Sequence, residues 1–219
     1  MKKFKWLLWI MFVGIALYTL AFLNGFGGET IPKNRTKEQY EFEKTFEPIF
    51  EFLEKDKKEF TGLKLYKNSI YIESGNAVKD YEVSLDTSQS DIKGDYTIKI
   101  GDNKETVPVT YSNGKLNYSS EITPLFDEEI LNLVLQRDYF ASLNIKETFK
   151  SAETESSDII YQPENHSELF IKLKSKYDLP EDTTCRIRVR YSSSSIYGIT
   201  IQLNSKTKTV QLDLTIFKQ

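Results

Sequence analysis

Arg186, Arg188 and Arg190 are the residues of this 219-residue chain whose type and spacing point most directly to chemistry. In an extended strand, residues two apart share a face, so the three guanidinium groups would rank along one side, suited to bidentate contact with phosphate or carboxylate. They are three of the five arginines in the protein. The single histidine, His166, is the one conventional base, and with neighbouring carboxylates it defines a hydrolase alternative. No G-x-S-x-G turn is present to expose a serine nucleophile, nor is there a P-loop or a G-x-G-x-x-G between a strand and a helix. One histidine and one cysteine exclude a zinc site built on the usual Cys and His spacings, and the acids lack the D-x-D-x-D-G calcium pattern. No cofactor is expected.

The arginines need a strand to align them, and the last forty residues supply an alternating pattern for a three-stranded meander. Pairing Tyr191 with Tyr197 sets Val189 opposite Ile199 and Ile187 opposite Ile201. Pairing Leu203 with Lys208 then sets Ile201 opposite Val210 and Ile199 opposite Leu212. One face becomes apolar and takes in Cys185, which reads as a small buried hydrophobe without a redox role. The other face carries the rows Arg186–Gln202–Thr209, Arg188–Thr200–Gln211 and Arg190–Gly198–Asp213, with no carboxylate directly across from an arginine.

Upstream, Phe42, Phe46, Ile49, Phe50 and Leu53 form one helical stripe between Lys37 and Phe60, with Thr36 as a cap and Pro48 predicting a kink or two shorter helices. Such a stripe reads as core. From Leu63 to Tyr118 the period changes to two, and Asn113-Gly114 predicts a two-residue hairpin turn with Tyr111 opposite Leu116 and Val109 opposite Tyr118. Pro108, lacking a donor, assigns its strand to an edge or a bulge. Asp127 to Tyr139 reads as a helix with Ile130, Leu131, Val134 and Leu135 on one face. Ser151 to Asp158, acidic and serine-rich, reads as a mobile loop or subdomain joint, and Ser167 to Tyr177 fits either a helix or a strand.

The front of the chain sets the location. Trp6 to Phe26 is free of charge, and as a helix of about 1.5 Å per residue it covers roughly 31 Å, enough to span a bilayer. Lys2, Lys3 and Lys5 precede it without an acid, as in a signal sequence that keeps its N-terminus in the cytoplasm and sends the rest across. The apolar core is longer than in most cleaved signal peptides, so the segment is expected to remain as an anchor. Beyond residue 28 the balance is 26 Lys and Arg against 32 Asp and Glu, a net −6 that argues against a nucleic-acid partner.

The expected architecture is α+β: a cytoplasmic tip and transmembrane anchor over 1–28, a helical stem over 29–62, antiparallel strands plus a helix over 63–150, and a second α+β part over 151–219. Two runs of helix followed by antiparallel strands resemble the layout of cystatin-like or nuclear-transport-factor-like modules, a likeness of element order that carries no function. The expected function is a single-pass, extracytoplasmic binding or assembly protein without catalytic activity, contacting a partner protein or an anionic envelope polymer through Arg186, Arg188 and Arg190. The alternative is a membrane-tethered hydrolase using carboxylates and His166.

Overall fold

The structure, a computed structural model, describes residues 31–55, 58–193 and 195–219. The expected anchor, Trp6 to Phe26, lies outside the described residues. Among the described residues no helix is long and apolar enough to cross a membrane. The chain divides into units at residues 33 and 34, and residues 34–219 form one of them.

The Phe-rich segment folds as two helices, α1 (Lys37–Glu43) and α2 (Glu47–Glu54), joined by a 3-10 turn at Lys44–Phe46. Thr36 and Gln39 close a capping box at the start of α1, satisfying two otherwise orphaned backbone donors. Pro48 lies in the first turn of α2, where its missing N–H costs nothing, so it starts a helix and kinks none. Phe46, Ile49, Phe50 and Leu53 are completely buried, which makes the expected stem part of the domain core.

Among the described residues ten strands follow: β1 (Leu63–Ser74), β2 (Ala77–Asp86), β3 (Lys93–Ile100), β4 (Asn103–Ser112), β5 (Lys115–Tyr118), β6 (Asn144–Ser151), β7 (Ser156–Gln162), β8 (Thr184–Ser192), β9 (Ile196–Asn204) and β10 (Lys208–Lys218). They form one antiparallel sheet in the order β5-β4-β3-β2-β1-β10-β9-β8-β7-β6. The first and last strands pair at its middle. Period-two burial fixes one inner face, where Tyr66, Val83, Leu85, Tyr96, Ile187, Val189, Ile201 and Leu212 join a single hydrophobic cluster with the helices. On β1, the Tyr66 hydroxyl donates to Leu131 O and Asn68 Nδ2 to Ile130 O.

The hairpin at Asn113 and Gly114 has the expected register, and both residues have positive φ, 53° and 80°. Gly94 answers a different need: a Cβ there would lie 1.8 Å from Ser84 O on the neighbouring strand. Pro108 lies just beyond the end of β5, which stops opposite Val109; its carbonyl accepts from Ser119 N, and its missing N–H falls where the ladder ends.

Three expectations are corrected. The helix over 127–139 is a single turn, α3 (Glu128–Leu131), then a non-helical stretch and a second short helix, α4 (Arg137–Ser142). Asn132 ends the first turn by donating its side-chain amide to Glu128 O and Gly114 O, and Leu135 N bonds to Leu53 O, pulling the backbone out of the helix. The segment 151–158 is no loop or joint, because it holds the end of β6, a tight turn with Glu155 at φ 45°, and the start of β7. In the final meander, Leu203 pairs with Val210 and Ile201 with Leu212, two residues from the expected register, because the turn, closed by Ser205 N to Lys208 O, is centred on Lys206 and Thr207, one residue farther along the chain than the expected pairing places it. A shift of two keeps the face of every side chain. The ambiguous segment at 167–177 is a helix, α5 (Glu168–Lys176).

Candidate functional site

The β8 strand projects Arg186, Arg188 and Arg190 from the outer face while Cys185, Ile187 and Val189 go to the core. The observed rows are Arg186–Gln202–Gln211, Arg188–Thr200–Asp213 and Arg190–Gly198–Thr215. The first two strands of each row match the sequence reading, and the third carries the two-residue shift.

Each arginine has a different environment. Asp158 of β7 stands opposite Arg190 in register, yet its carboxylate is bonded to Nη2 of Arg188. That hydrogen bond raises the guanidinium's already high pKa further. The expectation of no facing carboxylate fails here, because the sequence reading placed Asp158 in a loop. Arg190 Nη2 lies 3.4 Å from Thr200 Oγ1 and 3.7 Å from Asp213 Oδ1. The side chains of Arg188 and Arg190 both remain 47 % exposed, so these are surface pairs open to competition from an external anion. Arg186 is exposed and makes no hydrogen bond or ion pair among the described residues. Its row holds only glutamines, and Gln211 Nε2 donates to Asp213 Oδ2 at 2.6 Å.

Beside the arginines, Glu147, Phe149, Asp158, Ile160 and Arg188 line a shallow depression of about 550 Å³. Phe149, on the edge strand β6, is 58 % exposed. Farther across the outer face, Asp80 of β2 has its pKa raised by burial, with Glu82 and Asp213 adding to the shift against Lys99. The outer face carries arginines along β8 and the acids Asp213, Asp80 and Glu82 on β10 and β2, the last two beside Lys99 and Lys67.

His166 sits elsewhere, in the loop leading into α5, on the rim of a cleft of about 750 Å³. Its Nε2 lies 2.8 Å from Glu164 Oε2, with the imidazole 83 % exposed. Among the described residues no hydroxyl hydrogen-bonds to this imidazole, and the buried Ser167 Oγ lies beside the Tyr139 hydroxyl instead. A base with a carboxylate is present, but no nucleophile is aligned to it. Among the described residues no group of His, Cys, Asp and Glu is placed to hold a metal ion. Burial pushes the Cys185 thiol up to about 12, the opposite of what a reactive cysteine needs.

No family model and no curated protein matches the chain. Among solved structures, an N-terminal dehydratase from the difficidin assembly line has 8 % identity and a TM-score of 0.18 over 72 % of this chain and 78 % of that one. A dehydratase domain of the curacin polyketide synthase has 9 % identity and a TM-score of 0.15 over the same shares. Likenesses this low carry no argument about function.

Proposed function

We propose that this protein is a single-pass, membrane-tethered extracytoplasmic binding module that captures an anionic group, on a partner protein or an envelope polymer, through the arginine face of β8. The observation that carries the reading is Arg186, an exposed guanidinium with no partner among the described residues. It shares its face with two more arginines whose own carboxylates hold them only at the surface. Such pairs give up their partner at little cost, and a guanidinium that is already free has none to exchange. The tether rests on the uncharged run from Trp6 to Phe26 behind three lysines.

A photoactivatable residue placed at Gln202, beside Arg186, tests the face in cells expressing the full chain. The reading expects crosslinked adducts from Gln202 and none from Thr106, on the outer face of β4. Equal yields at the two positions would contradict it. External protease on intact cells should remove the domain, and protection from it would contradict the tether. A hydrolase reading is favoured only by the Glu164 contact of His166, and it requires a hydrolytic activity that His166→Asn abolishes.

A further inference from the structure

The cleft beside His166 has a wall with unused strand-pairing capacity. Between α3 and α4, residues 133 to 136 belong to no helix and no ladder. Leu135 N bonds inward to Leu53 O, and Gln136 is extended at φ −69° and ψ 148°. Leu135 N and Arg137 N both bond inward, to Leu53 O and Glu54 Oε1, and the N–H of Gln136 between them does not. Among the described residues Val134 makes no hydrogen bond at all, and Gln136 N makes none. Val134 is half-buried and Gln136 exposed, so these groups find their partners in water or in a ligand.

The cleft also fits one chemistry better than others. Its volume, about 750 Å³, falls in the range of ligand sites, roughly 300 to 1,000 Å³. Leu133, Val134, Leu143 and Leu169 give it apolar surface. Its rim holds three carboxylates, Glu129, Glu164 and Glu168, against one ammonium, Lys172. Glu129 is taken up by Lys176 at 2.8 Å and Glu164 contacts His166 at 2.8 Å, whereas Glu168 has no partner among the described residues. Two hydroxyls in the lining, Tyr139 Oη and Ser167 Oγ, lie beside each other and interact, with no other partner among the described residues.

We propose that this cleft docks an extended peptide segment of a partner protein, which pairs its backbone with Val134 and Gln136, buries an apolar side chain on Leu133 and Leu169, and sets flanking basic residues against Glu164 and Glu168. This is strand addition at a short free edge, with affinity from main-chain bonds and selectivity from the pocket and rim. It stands on different residues from the arginine face and does not depend on it. A small apolar ligand would use the same walls but would leave the backbone of Val134 unpaired.

The probe is a fluorescein-labelled pentapeptide, acetyl-Lys-Val-Leu-Val-Lys-amide, titrated against the full chain in lipid nanodiscs by fluorescence anisotropy. Saturable binding is expected, weakened roughly tenfold or more by replacing both lysines of the peptide with glutamate or by N-methylating its central leucine. The double variant Glu164→Lys with Glu168→Lys changes only exposed rim positions, so it leaves folding intact and should invert the preference between the lysine and glutamate peptides. No binding of either peptide at about 1 mM would overturn the proposal. Equal affinity for the N-methylated peptide would overturn the strand pairing and leave an apolar small-molecule site. An unchanged charge preference in the double variant would overturn the assignment of the rim.

Discussion

Asp158 stands directly across the ladder from Arg190 but gives its carboxylate to Arg188, one row away. The diagonal choice leaves Arg190 to share Thr200 and Asp213 and leaves Arg186 with no acid in its row. Among the described residues, one face thus holds a paired, a loosely paired and a free guanidinium.

Removing these arginines should therefore have unequal effects on stability. Arg186→Gln should stay within about 0.5 kcal/mol of the parent protein, as expected for an exposed side chain without contacts. Arg188→Gln strands a carboxylate whose side chain is only 12 % exposed, and should cost roughly 1 kcal/mol after allowance for solvent around the guanidinium. A double-mutant cycle with Asp158→Asn, read by urea denaturation, should return a coupling of about 0.5 to 1 kcal/mol. A coupling of zero would mean that the pair is not formed in solution.

A second pair is buried. Arg35 donates from Nε to Glu43 Oε2 at 3.0 Å and from its Nη atoms to Leu143 O and Phe140 O, while Tyr161 donates to Glu43 Oε1 at 2.6 Å. The Arg35 side chain is fully buried, so Arg35→Met leaves Glu43 without a counter-charge inside the core and should cost roughly 3 to 5 kcal/mol. Adding Glu43→Leu should restore part of that loss, since the stranded charge is then gone. Thermal unfolding checks both, and a double variant at the simple sum of the single losses would refute the coupling.

The sequence revealed what alternation reveals. The β8–β9 register, the Asn113-Gly114 hairpin and the break at Pro48 all follow from side-chain period or turn chemistry, and all are observed. The β6–β7 hairpin was illegible because β6 is an edge strand exposed along most of both faces, so it has no buried set to alternate. Its exposed lysines and the bulge between Ile145 and Glu147 are edge protections that look like loop composition. Missing that hairpin hid Asp158, and with it the partner of Arg188. The break in the helix after Leu131 was illegible for another reason: it depends on Leu53 and Gly114, both remote in sequence.

Cys185 gives a pH prediction. Burial pushes its thiol up to about 12, against roughly 8.5 in an unfolded chain, so the native state keeps a proton that the unfolded state has lost. The resulting contribution to stability is full below about pH 8.5 and declines by about 1.4 kcal/mol per pH unit above it, until pH reaches the folded pKa. Between pH 8 and pH 10 the parent protein should lose about 2 kcal/mol more than Cys185→Ala in urea unfolding. Parallel pH profiles for the two proteins would contradict this.

The measurement closest to the central claim is the affinity of the full chain in nanodiscs for end-labelled polyphosphate, with and without the three arginines. The account predicts saturable binding that weakens with salt, a measurable loss from Arg186→Gln alone, and a loss of roughly tenfold or more with a flattened salt dependence when Arg186, Arg188 and Arg190 are all changed to glutamine. Binding that survives the triple change with its salt dependence intact, or an unaltered protein that binds no polyanion, would contradict it.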